Sequence, residues 1–187
     1  KRAYARGRGM IWSEFARRSM KIIHEIAPVA PAMSVVETPG IEGLLRICDD
    51  TGILQHSVYG VPDRAHGYCV DDNARALMLA NRLGEQAEPY RTRMSYTFAA
   101  FVESAWNNDT RHFRNFMGFA RNWLEDIGSQ DSCGRTLWAL GTTAHEGLSA
   151  SLRQWASKMF LRCAPSAKEF HSIRSIAFAM LGADKIL

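Results

Sequence analysis

The chain has 187 residues, 47% hydrophobic and 22% charged, the profile of one ordinary globular domain rather than a disordered tail. Mean hydropathy is −0.21, and no run of about 18 apolar residues occurs, so no membrane span is expected. The net charge of +4 is unevenly placed: residues 1–26 hold seven basic and two acidic residues, a net +5, leaving −1 for the rest. A nucleic-acid footprint would need basic residues clustered on the body as well, so no nucleic-acid partner is expected.

The chain opens at Lys1 without a methionine, as expected of a piece of a longer reading frame. Met10, Ile11, Phe15, Met20, Ile22, Ile23 and Ile26 recur at near-helical spacing and predict a helix over about 9–26. Its basic, amphipathic character also leaves a membrane-surface role open. Pro28 and Pro31 stop the helix, and residues 27–39 read as a semi-stiff linker. A short helix over about 40–48 follows, and Asp49-Asp50-Thr51-Gly52 signals a turn. Residues 52–71 show little period and read as a long functional loop. Helices are predicted over 73–83, 90–106, 132–145, 149–163 and 169–182, with short extended pieces between 107 and 131.

Three of these helices share a pattern. Arg75-Ala76-Leu77, Arg135-Thr136-Leu137 and Arg174-Ser175-Ile176 each place an arginine, a small residue and an aliphatic residue before a mostly apolar run. Such runs mark buried helices, whereas 149–163, with Arg153, Gln154, Lys158 and Arg162, is amphipathic. Alternating buried and amphipathic helices predict an all-α fold in two layers, an α/α toroid of helical hairpins. A generic helical array is the plainer alternative.

Two constellations precede inner helices. In the first, Asp63, Arg64, His66 and Tyr68 crowd the segment before Asp71-Asp72-Asn73. One of these last three is expected to cap the helix, and Asp71 and Arg75 form an i,i+4 pair, so part of the motif is structural. In the second, Trp123, Glu125 and Asp126 precede Asp131 and Arg135, again spaced i,i+4, with Asp131 or Ser132 as the expected cap. Rings beside carboxylates suit sugars, stacking on the apolar sugar face while acids take hydroxyls. A solvated acidic turn over a core tryptophan is the plainer alternative. In a toroid both constellations reach one mouth, where two carboxylates can perform acid/base work on a glycosidic bond. The candidate catalytic residues are therefore Asp71, Asp72, Glu125 and Asp126. Asp63, Arg64, His66, Tyr68, Trp123, Asp131 and Arg135 are candidate substrate contacts, and Arg64, His66 and Arg135 suit an anion such as phosphate. The third helix start, 169–174, lacks paired acids.

The row Phe113, Phe116 and Phe119 reads as packing, and His24, His56, His112 and His145 as surface or core residues. Four cysteines without a C-x-x-C pair suggest reduced thiols in a cytosolic protein. His66, Cys69 and Asp71 match no strong zinc spacing, and no phosphate loop or dinucleotide motif occurs, so neither metal nor cofactor is expected.

The strings Asp50–His56, Pro62–Leu77 and Asp131–Gly141 resemble the six-hairpin (α/α)6 domain fused behind bacterial glycosyltransferases. Residues 3–26, with Gly9-Met10-Ile11-Trp12, resemble the closing helix of a GT-B, retaining-type glycosyltransferase. The resemblance implies a cytoplasmic, carbohydrate-active protein in mannoside metabolism, with an upstream glycosyltransferase domain as partner. It supplies no agreed reaction for the toroid. Twelve helices of about 11–12 residues exceed this chain, and about five follow the linker. The resemblance thus implies a transferase tail (1–26), a linker (27–39) and a partial toroid (40–187). Three readings remain: a carbohydrate-active enzyme, a non-catalytic saccharide-binding or interaction module, and an inactive fragment.

Overall fold

The computed structural model describes residues 12–26 and 40–187, which fall into two compact units divided after Pro39. The predicted linker 27–39 lies outside the described residues. In the first unit, helix α1 (Trp12–Ile26) carries Glu14 between Arg17 and Arg18, at 2.7 and 2.8 Å. These guanidinium groups draw its carboxyl down to about 2. None of its residues is buried, and Trp12, Phe15, Ile22 and Ile26 are exposed.

The second unit is mostly helical: α2 (Glu42–Ile47), α3 (Val70–Arg82), α4 (Tyr90–Ala105), α5 (Gln130–Glu146), α6 (Ala150–Cys163) and α7 (Ile173–Asp184). No helix among the described residues is long and apolar enough to cross a membrane. The helices pack in two layers. Helix α5 lies parallel to α3: Asp71 meets Arg135 at their starts, and at their ends Asn81 Nδ2 donates to Thr143 Oγ1 (2.9 Å) and Arg82 Nε to Glu146 (2.9 Å). Helix α7 lies parallel to α5 on its other side, from Arg174–Asp131 at the start to Lys185–Glu146 at the end. The outer helices α4 and α6 cover α3 and α5 and join each other through Glu103, which accepts from Trp155 Nε1 and Arg162 at 2.6 Å each.

The core between the layers is apolar and divides into clusters, two of which meet at the partly buried Trp155. Val70, Phe101, Val102, Leu137, Leu140, Met159 and Phe160 form its centre. Leu77, Met94, Phe98 and Leu152 fill the angle between α3, α4 and α6. Each such side chain contributes about 1.5–3 kcal/mol by leaving water.

Segment 52–71 is not a loop. Strands β1 (Leu54–Val58) and β2 (Val61–Cys69) form a hairpin, turned by Tyr59 and Gly60 at φ 51° and 83°. Two consecutive positive φ values suit the right-handed twist of a hairpin. The far edge of β2 pairs with β5 (Phe116–Met117), and β3 (Trp106–Asn107) pairs with β4 (His112–Phe113). Of the short extended pieces expected between 107 and 131, β4 and β5 lie within that span, while β3 begins at Trp106, where the helix predicted over 90–106 has already ended.

Helix caps also differ from expectation. Helix α3 starts at Val70, so Asp71, Asp72 and Asn73 lie in its first turn, and no side chain caps it. For α5 the cap is Ser129, whose hydroxyl accepts from the Ser132 N–H at 3.1 Å, rather than Asp131 or Ser132. Ser172 caps α7 in the same way.

Helices α5 and α7 touch backbone to backbone. A Cβ on Gly141 would overlap the Gly182 carbonyl, one on Gly182 the Leu137 carbonyl, and one on Gly134 the Ser175 carbonyl. Helix α7 differs from its predicted role in one respect. Only Ser175 and Gly182 of it are buried, while Ile173, Met180 and Leu181 are exposed, because no outer helix covers it among the described residues. Gly141→Ala forces this interface apart, and a loss of about 1–3 kcal/mol is expected, measured as a lower urea midpoint at unchanged slope.

Candidate functional site

The starts of the three inner helices are joined by one row of alternating charges. Arg75 pairs with Asp72 and, at 3.1 Å, with Asp71. Arg135 Nε touches Asp71 Oδ1, and its other arm lies 3.3 Å from Asp131 Oδ2. Arg174 Nε donates to Asp131 Oδ1 at 2.5 Å. Each arginine is the repeat residue of its helix, so the repeat has a physical cause. Asp71 and Asp131 each pair with the arginine four residues on, and also with the arginine of the next helix. At the third start the equivalent position is Phe170, and among the described residues Arg174 has only Asp131.

The row is half-buried. Asp71, Arg135 and Asp131 keep only 22%, 17% and 26% of their side-chain surface. The Arg135 guanidinium lies 4.5 Å over the Phe178 ring, which stacks on Trp138. Asp71 Oδ1 and Arg135 Nε touch without alignment for a hydrogen bond, and neither has another partner among the described residues. Burial lifts the Asp71 carboxyl above its ordinary value; Arg135 and Arg75 oppose this, and the Asp72 and Asp131 carboxylates reinforce it. A carboxyl raised by burial holds its proton more readily, the property of a general acid.

The other expected residues separate into distinct places. Asp63, Arg64 and His66 lie along β2, which bulges against β1 between Asp63 (opposite His56) and Tyr68 (opposite Leu54), with Gly67 at φ 62°. Among the described residues none of the three pairs with Asp71, whose partners are Arg75 and Arg135. Asp63 Oδ1 accepts the Ala65 N–H at 3.0 Å, and its Oδ2 is 3.5 Å from His66, whose ring meets His56 edge-on. Tyr68 is 1% exposed and donates its hydroxyl to Asp49 at 2.5 Å, so it is a core residue and not a surface contact. Burial and the Asp49 carboxylate push that phenol up to about 12.

Trp123 is not an open platform either. It wedges against Phe101 with the Arg114 guanidinium 5.7 Å over its ring. The exposed ring is Phe119, with the Arg64 guanidinium at 5.2 Å, whereas of the phenylalanine row only Phe113 is buried. Glu125 holds the backbone: its Oε1 accepts the N–H groups of Asn115 and Phe116 at 2.6 and 2.5 Å. Asp126 is exposed, and its carboxylate makes no hydrogen bond or ion pair among the described residues. A groove of about 290 Å³ opens beside Asp72 and Arg75, walled by Leu44, Ile53, Leu54 and Leu79.

Two polar residues have structural roles other than capping a helix. Asn73 is fully buried; it accepts the Ile53 N–H (3.0 Å) and donates to the Cys69 carbonyl (2.9 Å), tying α3 to the preceding turn. Asp49 pins that turn by accepting the Thr51 and Gly52 N–H groups at 2.8 and 3.1 Å. The Asp-x-x-Gly string signals the turn; nothing local signals Asn73. The four cysteines are free, and burial pushes the Cys69 and Cys133 thiols up to about 11 and those of Cys48 and Cys163 to about 12. The Cys69 thiol faces Asn115 at 3.3 Å. Among the described residues, no three His, Cys, Asp or Glu side chains are grouped to hold a metal.

The chain matches no protein-family model, no curated protein and no solved structure.

Two outcomes follow from this geometry. Ionising Asp71 costs more in the folded chain than in the unfolded one, so the penalty is absent below the ordinary value of 3.8 and grows as pH rises through the folded value. Relative to Asp71→Asn, the unaltered chain is expected to lose stability as pH rises from about 3.8 and then level off, read by urea denaturation of both across pH 3–7. Glu125→Ala strands two backbone N–H groups and is expected to lower stability by about 1–3 kcal/mol in the same measurement at pH 7.

Proposed function

We propose that this chain is a carbohydrate-active domain of a glycosyltransferase-associated protein, and that it takes a saccharide at the shared end of α3, α5 and α7. The supporting observation is the row of three acids and three arginines across those helix starts, with the half-buried Asp71 carboxyl raised within it. Residues 40–187 are read as the first hairpins of an α/α toroid, and α1 as the closing helix of a GT-B transferase. The parallel inner helices and their repeated arginines support that reading.

The chemistry assigned to the site is acid/base work on a glycosidic bond. Asp71 is the acid: it gives its proton to the leaving oxygen, and Arg135 and Arg75 offset the carboxylate charge that results. Asp126, exposed and unpaired among the described residues, is the base that activates the incoming nucleophile. Asp72 and Arg75 face the apolar-walled groove and suit sugar hydroxyls, and Phe119 offers a stacking face.

A second reading is a saccharide-binding module without chemistry. The observation favouring it is that Asp71, Asp72 and Asp131 are all ion-paired and Glu125 is engaged by the backbone.

Isothermal titration with mannobiose, alongside chromatography of the products, separates the two. Turnover lost at least a hundredfold in both Asp71→Asn and Asp126→Asn, with binding retained, is the expected outcome. Binding with no turnover in the unaltered chain gives the module, and failure to bind any of a panel of mannosides and glucosides refutes both.

A further inference from the structure

A cavity of about 440 Å³ lies between the β3–β4 turn and the 3-10 segment Ala164–Glu169, and no member of the acid–arginine row lines it. Its walls include Trp106, Asn108, Arg111, Arg162, Ser166 and Glu169. Arg111 is the unusual member. Its φ is 57°, in the left-handed region where a long side chain is strained. Strain of this kind persists only where the surroundings enforce it, and it concentrates where ligands are held.

The surroundings here do enforce it. Asn107 is buried, and its Oδ1 accepts the N–H groups of Asp109 and Thr110 at 3.0 and 3.5 Å. Its carbonyl accepts the Arg111 N–H at 2.9 Å, and its Nδ2 donates to the Asp126 carbonyl at 3.3 Å. The turn is thus built around Asn107 and presents Asn108 and Arg111 to the cavity. The Arg111 guanidinium makes no ion pair or hydrogen bond among the described residues.

Arg162 supplies the second guanidinium. One of its arms is held by Glu103 at 2.6 Å, which positions the group. The second Glu103 oxygen is taken by Trp155 Nε1, and the acid lining the cavity, Glu169, is drawn aside to His112 at 3.2 Å. One unpaired guanidinium and one anchored guanidinium, with an amide and an indole beside them, therefore share a polar cavity.

We propose that this cavity binds a phosphate group through Arg111 and Arg162. Guanidinium forks match phosphate oxygens two at a time, and a positioned pair gains more from this than mobile surface lysines do. The phosphate is either free inorganic phosphate or the ester group of a phosphorylated sugar, both of which the cavity volume admits. The site stands on residues outside the acid–arginine row, so it is tested independently of the saccharide reading.

The test is isothermal titration of the full chain, at fixed ionic strength, with inorganic phosphate and with glucose 6-phosphate. It is run on the unaltered protein, Arg111→Gly and Arg162→Lys. Arg111→Gly removes the guanidinium and suits the left-handed backbone, so it is expected to fold at least as stably, checked by urea denaturation. Binding weakened tenfold or more in Arg111→Gly, and severalfold in Arg162→Lys, supports the site. Tighter binding of glucose 6-phosphate then assigns the ester, and equal or weaker binding assigns free phosphate. Absence of binding by both probes, or binding unchanged in Arg111→Gly, overturns the proposal.

Discussion

The arrangement of the inner helices depends on a bond between neighbours that no single helix can make. Asp71 and Asp131 each lie in a first helical turn and pair with two arginines, one from their own helix and one from the next. The i,i+4 pair alone is worth a few tenths of a kcal/mol on an exposed helix. The contact across to the next helix is different in kind. Between Asp71 and Arg135 it is half-buried, so removing one partner leaves a charge with little water to receive it, and the loss reaches a few kcal/mol, whereas Arg174 is largely exposed and its bond to Asp131 is worth less. The row therefore fixes how far each inner helix slides along its neighbour. At the far ends Asn81–Thr143 and Arg82–Glu146 set the same registration for α3 and α5.

That registration matters because α5 and α7 have no tolerance in their spacing. Gly134, Gly141 and Gly182 bring the two backbones into direct contact, and an axial slip of one residue would set a side chain where only hydrogen fits. The charged row at one end and the glycine contacts along the length thus enforce each other. Helix α7 buries little of itself: its buried positions are the small residues that face α5, and no outer helix covers it among the described residues. Its larger residues point away from that contact and remain exposed.

Helices were legible in the sequence because their signal is local. The apolar period placed α4 and α6 within a residue of their observed bounds. The strands were not legible. Val61–Cys69 contains a proline, a glycine and the polar side chains of Asp63, Arg64 and His66 without alternation, and its partner β5 lies nearly fifty residues later. The hairpin turn is Tyr59-Gly60, without the asparagine or aspartate that usually marks such turns. The acidic motifs were visible, but their partners were not. Spacing shows that Asp71 meets Arg75; it cannot show that Arg135, sixty residues on, completes the pair. Carboxylates read together as one cluster are divided by the fold among ion pairs (Asp71, Asp72, Asp131), a backbone clamp (Glu125) and one exposed, unpaired group (Asp126).

The connections explain why chemistry concentrates at one end. On the side where α3 ends and α4 begins, the links are short: residues 83–89, and 147–149 between α5 and α6. On the opposite side the chain spends residues 106–129 between α4 and α5, and 164–172 between α6 and α7. Parallel inner helices with antiparallel covers send every long link to the same end, where the inner helices start. Their free N–H groups favour negative charge there, which supports the first-turn acids. The long links supply Arg111, Phe119, Asp126 and Glu169, none of which is needed to hold the helices together. A rigid end that carries both a fixed charge row and side chains spared from packing is where a binding function can be added to this fold without weakening it.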